Sequence, residues 1–234
     1  MSNSIFLRLL VVVFVGLTPI KAAATDPVSS DETPQWWLMR SMETSQSDSA
    51  MYYVSTAISL DPQYAEAYTQ RGKIFGEQGL YKRALKDFDK AIKYAPDFVN
   101  AYLEKAKAFQ ALGQSRKAIK CLDKALQLNL SVPEVFLLRS KINFGMGDLQ
   151  AVVHDYSALI ALCPTSQKAY LQRAQIYYKL GEPEKGNFDS QMARKIGKID
   201  EVGHRFSRIA RDNASLVSLL EILNEGTKNM IVNN

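Results

Sequence analysis

The sequence runs to 234 residues, 47% hydrophobic and 23% charged, with 29 lysines and arginines against 24 acidic residues. The formal charge of +5 is too weak, without aromatic interleaving or a nucleic-acid motif, to argue for a nucleic-acid partner. The length suffices for a stacked-helix domain with a continuous core.

Residues 1–24 read as a secretory signal peptide. Arg8 precedes the apolar run Leu9 to Leu17, which is followed by Thr18-Pro19 and the small-residue end Ala22-Ala23-Ala24. The run is short for a bilayer span, and no cysteine stands near the cut to take a lipid. Cleavage after Ala24 removes Arg8 and Lys21, leaving 27 of the 29 basic residues against 24 acids, a net +3. Residues 25–34, with two prolines and several serines and acids, read as a flexible leader. Folded structure is expected to begin near Trp36 and to continue as repeats through residue 200.

The clearest repeat is 65–98, two helical runs joined at Gly79-Leu80 and closed by Pro96. Tyr68, Gly72 and Phe75 share one helical face and Ala84, Phe88 and Ala91 another. Small residues let two such faces approach while the aromatic rings fill the remaining volume, which describes a helical hairpin. The pattern recurs every thirty-four residues, over 99–132, 133–166 and 167–200. A degenerate copy over 31–64 keeps Ala50, Val54, Ala57 and Pro62 in register but has an irregular first helix. Its crowded Trp36 and Trp37 suit a cap on the exposed end of a stack.

These registered small-and-aromatic helix pairs resemble the tetratricopeptide repeat family. The resemblance implies an all-α fold, a right-handed superhelical stack of antiparallel helix hairpins, with a C-terminal capping helix. It implies a binding scaffold whose inner, concave surface is lined by the first helix of each repeat. Members that dock the acidic tails of cytosolic chaperones carry a clamp of lysine, asparagine and arginine. The matching region here holds Thr69, Lys73, Glu104, Glu134 and Leu138, which do not make that clamp.

One departure from the common repeat pattern is informative. Arg71, Lys105, Arg139 and Arg173 stand in mid first helix, and sixteen residues later come Asp87, Cys121, Asp155 and Asp189. Three repeats are therefore expected to hold an Arg–Asp pair across the hairpin, fixing the angle between helices more than adding stability.

Two ladders are expected on the concave surface. Thr69, Leu103, Leu137 and Leu171 form the first, and Lys73, Lys107, Lys141 and Gln175 the second, with Phe144 and Tyr178 near the same surface. An apolar rail beside a cationic one suits an extended or helical peptide with spaced apolar side chains and some acids.

After residue 200 the repeat pattern wears out. Ile196, Ile199, Val202, Phe206 and Ile209 continue an apolar stripe that Gly197 and Gly203 are expected to break into pieces. A further helix starts at Asp212-Asn213 and carries Leu216, Leu219, Leu220 and Leu223 toward Gly226. Residues 201–226 thus read as capping helices and 227–234 as a tail. The basic residues Arg194, Lys195, Lys198, Arg205, Arg208 and Arg211 read as a solvated face.

Nothing here reads as an enzyme, a metal site or a cofactor site. His154 and His204 lie in different segments without ligand spacing, and no phosphate loop or nucleophile motif appears. Cys121 and Cys163 stand eight positions apart in repeat register, about 12 Å along a helix, and read as free, mostly buried thiols. The expectation is an exported scaffold, periplasmic, secreted or in an endomembrane lumen, that binds another protein or peptide segment in its groove. Membrane contact is expected only through the signal peptide or an envelope partner. The alternatives are an assembly subunit bound through its ends or convex face, and a noncatalytic partner of a cell-envelope enzyme.

Overall fold

The computed structural model describes residues 33–212, with side chains placed through Lys198. The signal peptide, most of the leader and the expected Leu216–Leu223 helix lie outside the described residues. Among the described residues the chain is all-helical. The elements are α1 (Pro34–Glu43), α2 (Ser47–Leu60), α3 (Ala65–Glu77), α4 (Tyr81–Tyr94), α5 (Val99–Ala111), α6 (Ser115–Leu128), α7 (Pro133–Met146), α8 (Leu149–Leu162), α9 (Gln167–Lys179) and α10 (Pro183–Asp212). Each odd-numbered helix packs against the even-numbered one after it, and successive hairpins stack.

The turn inside each of the last four hairpins is set by backbone stereochemistry. Gly79, Gly113, Gly147 and Gly181 have φ of +74°, +71°, +81° and +74°, a left-handed conformation that glycine alone adopts without a Cβ penalty. Within the α3–α4 hairpin, a Cβ on Gly72 would meet the Phe88 ring at 2.5 Å, so the absent side chain is what lets Phe88 seat against α3. Phe88, Ala84 and Ala91 are buried, as the helix-face pattern requires. Between hairpins, Tyr68 donates its hydroxyl proton to the Pro62 carbonyl at 3.1 Å and Tyr102 to the Pro96 carbonyl at 3.0 Å.

Two expectations about the ends are corrected. The first helix of the degenerate copy is regular, starting at Pro34, whose missing N–H costs nothing in a first helical turn, with Thr33 Oγ1 accepting from the Trp36 amide at 3.2 Å. Trp37 and Leu38 are buried against Ala50, Val54 and Ala57. At the other end α10 is unbroken for 30 residues through Gly197 and Gly203. Glycine lowers helix propensity by only about 1 kcal/mol, and Gly197 gives room for Gln167, whose side chain would lie 2.6 Å from an added Cβ. Cys121 and Cys163 are both free, but Cys163, at the exposed C-terminal end of α8, corrects the expectation of two mostly buried thiols.

The expected Arg–Asp pairs form, and two of the three arginines reach further than one hairpin. Arg71 bonds Asp87 through Nε and Nη2 at 2.7 and 2.8 Å. Arg173 holds Asp189 in the same two-point manner, both at 2.8 Å. Arg139 directs Nε and Nη2 to Asp155 at 3.0 and 2.6 Å and turns Nη1 back to Asp123 of the preceding hairpin at 2.7 Å. Arg173 likewise reaches back to Ser157 Oγ at 2.9 Å. In the repeat whose aspartate is replaced by Cys121, Lys105 makes only the backward bond, to Asp89 at 2.7 Å.

The charge states follow the geometry. Hydrogen bonding to Asp87 and Asp189 holds Arg71 and Arg173 above the usual guanidinium range. At Arg139 burial works the other way, but the bonds to Asp155 and Asp123 outweigh it. Asp155, whose side chain is 1% exposed, bears the desolvation of the pair: burial pushes its carboxyl up while Arg139 pulls it down.

Removing one partner leaves a buried charge alone. Asp155→Ala is expected to lower the unfolding free energy by about 3–5 kcal/mol. Replacing both partners, Arg139→Met with Asp155→Leu, is expected to recover most of that loss, read by urea unfolding of the two variants side by side.

Candidate functional site

The inner surface is built from α3, α5, α7 and α9, and helical spacing dictates what each presents there. Residues four and then three apart share a face, which groups Leu137, Lys141 and Phe144 on α7 and Leu171, Gln175 and Tyr178 on α9. All six are exposed. Leu137, Phe144 and Leu171 are 46%, 47% and 40% exposed, unusual for large apolar side chains that recur at fixed register. Lys179 Nζ lies 5.7 Å from the centre of the Phe144 ring, within cation–π reach. Tyr178 is half committed to its own hairpin, its ring lying over Gly186 and its hydroxyl donating to Asn187 Oδ1 at 2.8 Å.

The apolar rail is shorter than expected. Thr69 is buried, its hydroxyl donating to the Ala65 carbonyl at 3.0 Å, and Leu103 is buried in a cluster with Val135 and Phe136 of α7. The cause is the spacing of first helices. Backbones approach within 8 Å between α1 and α3, α3 and α5, and α5 and α7, but not between α7 and α9. A leucine at the same register is therefore covered on α5 and uncovered on α7. On α9, the last first helix, no later hairpin stands to cover Leu171 among the described residues.

The cationic ladder stays on the surface, though not as four equal rungs. Lys107 is exposed and paired with Glu104 at 2.7 Å, and Lys141 is exposed without an ion pair among the described residues. Lys73 is half-buried and stands between two clefts. One, of about 310 Å³ and mostly polar, is lined by Ser41, Thr44 and Ser47 on the α1–α2 side and by Gln70 and Glu77 on α3. The other, of about 360 Å³, opens between α3 and α5 over Gly72, Gly76, Tyr81 and Phe88. The clefts were not expected from the ladders. The available signal was one register column, Gly76, Gln110, Phe144 and Tyr178, in which the first member has no side chain.

Family descriptions of the tetratricopeptide repeat match residues 65–98 and 99–131. Residues 65–131 are therefore two tetratricopeptide repeats, and the flanking hairpins keep the same 34-residue helical register. No curated protein matches the sequence. Among solved structures, MamA from Desulfovibrio magneticus RS-1 is 15% identical, with a TM-score of 0.60 over 70% of this chain and 95% of that one. YrrB, described as a TPR protein with an unusual peptide-binding site, is 20% identical, with a TM-score of 0.53 over 69% of this chain and 84% of its own. TTC0263, a thermophilic TPR protein of Thermus thermophilus, is 18% identical, with a TM-score of 0.54 over 75% of this chain and 98% of its own. At these identities the likeness is one of fold.

The split within the apolar ladder is directly measurable. Leu103→Ala is expected to cost about 2–5 kcal/mol of stability, and Leu137→Ala and Leu171→Ala to stay within about 0.5 kcal/mol of the native chain, by thermal and urea unfolding.

Proposed function

We propose that this chain is an exported scaffold that binds a segment of a protein partner along its inner face. The observation that carries the reading is the paired stripe Leu137–Lys141–Phe144 and Leu171–Gln175–Tyr178, apolar at both ends, polar between, and exposed. A rigid helical stack that leaves large apolar side chains uncovered at one repeated register gains by covering them with a partner. Packed helices lie roughly 8–10 Å apart and an extended peptide advances about 3.3 Å per residue, so one peptide residue in about three meets successive helices. That a protein of this fold, YrrB, is described as having a peptide-binding site supports a peptide as the bound form.

Export rests on the sequence of residues 1–24, where Arg8, the run Leu9 to Leu17 and Ala22-Ala23-Ala24 make a cleavable signal. Intact-mass measurement of the exported protein is expected to give a chain beginning at Thr25. A mass retaining Met1 to Ala24 would make the apolar run an anchor instead.

The binding reading is tested by affinity capture from the native envelope or secreted fraction, using the mature chain and a Leu137→Glu, Leu171→Glu variant checked first by circular dichroism. The variant is expected to lose the partner that the native chain retains. A second reading, an assembly subunit held by its end, is favoured by Met39, Met42 and Tyr52, exposed by 51%, 62% and 56% on the first hairpin. In that case Met39→Glu with Met42→Glu abolishes capture and the inner-face variant does not.

A further inference from the structure

The α3–α5 cleft is the place where the inner face lacks a side chain that its own repeats supply elsewhere. At the register of Gly76 the later hairpins carry Gln110, Phe144 and Tyr178. A Cβ built on Gly76 meets no atom within 4 Å, so the position opens onto free space. Beneath that space lies Phe88, 2% exposed, with Tyr81 beside it, and at the rim stand Lys73 and the Glu104–Lys107 pair. Glu77 is the remaining charged group at the rim.

We infer that this cleft is an anchor pocket for one aromatic side chain of the partner segment, an assignment that rests on the inner-face binding reading. In the fourth hairpin the equivalent Tyr178 lays its ring over Gly186 of its own second helix, where the second hairpin carries the buried Ala84. The space over Gly76 therefore opens instead toward Glu104, Lys107 and Ala108 of α5. A partner's ring entering between Gly76 and Ala108 meets the aromatic floor of Tyr81 and Phe88. The volume of about 360 Å³ lies in the range of sites that enclose small organic groups. Lys73, half-buried and without an ion pair among the described residues, is placed for a cation–π contact with such a ring, as Lys179 is with Phe144. Leucine fills similar space but forgoes that contact.

The probes are three blocked nine-residue Gly-Ser peptides with a single central Phe, Leu or Ala, titrated into the isotope-labelled mature chain and followed by amide NMR. The Phe peptide is expected to shift Gly72, Gly76 and Ala108, with the Leu peptide about fivefold weaker and the Ala peptide silent. Gly76→Phe fills the pocket from within. Gly76→Gln, which installs the residue that the next repeat carries, does so with less risk to the fold, and each is expected to weaken the Phe peptide at least about tenfold. If the Phe peptide instead shifts Leu137 and Leu171 and ignores both Gly76 substitutions, the pocket is refuted while inner-face binding stands. Equal affinity for Phe and Leu overturns the aromatic assignment, and a chain whose inner-face amides respond to none of the three refutes pocket and inner face together.

Discussion

The stack depends on a cation in the middle of the first helices α3, α5, α7 and α9 being held by second-helix acceptors, within its own hairpin at Arg71, in the hairpin before at Lys105, and in both at Arg139 and Arg173. Arg139 shows the full form, gripping Asp155 within its hairpin and Asp123 in the hairpin before it. A planar guanidinium with donors along two edges suits such a bridge, and a lysine ammonium does not. Lys105 accordingly drops the forward bond, where Cys121 offers no charge, and keeps the backward one to Asp89. Small residues bring the helices together, but apolar packing is nondirectional. The bonds from Lys105, Arg139 and Arg173 back to the preceding hairpin select among the rotations that packing permits, and so help set how the last three hairpins sit on those before them.

That setting decides what the inner face offers. While first helices stay close, as from α1 to α7, they bury the residues between them, Thr69 and Leu103 included. Between α7 and α9 the approach is lost, and the same register turns outward as Leu137. The inner face therefore has two characters along its length. Its early half is cleft and charge around Lys73, and its late half is a raised apolar stripe.

The register columns show how one fold generates such variety. A column such as Gly76, Gln110, Phe144 and Tyr178 ranges from no side chain to a full ring while the helices around it keep their 34-residue spacing. Variation there alters surface relief with little change at the packed positions, the exception being Gly186, the equivalent of Ala84, whose missing Cβ makes room for the Tyr178 ring. Shape can thus be revised at the inner face at little cost in stability.

Hairpins, their period and the Arg–Asp pairing were legible from the sequence, because helical periodicity and the left-handed demand of a tight turn act over a few residues and leave a local pattern. The backward bonds had a signal too, in the column Asp89, Asp123 and Ser157, which matters only once two hairpins are side by side. What the sequence could not supply was the distance between α7 and α9, or the hole over Gly76. Both arise from how successive hairpins are rotated, a sum of many small packing terms among residues remote in the chain. Thr69 and Leu103 look the same as Leu137 and Leu171 on a helical wheel, and only the neighbouring backbone determines which of them is left exposed.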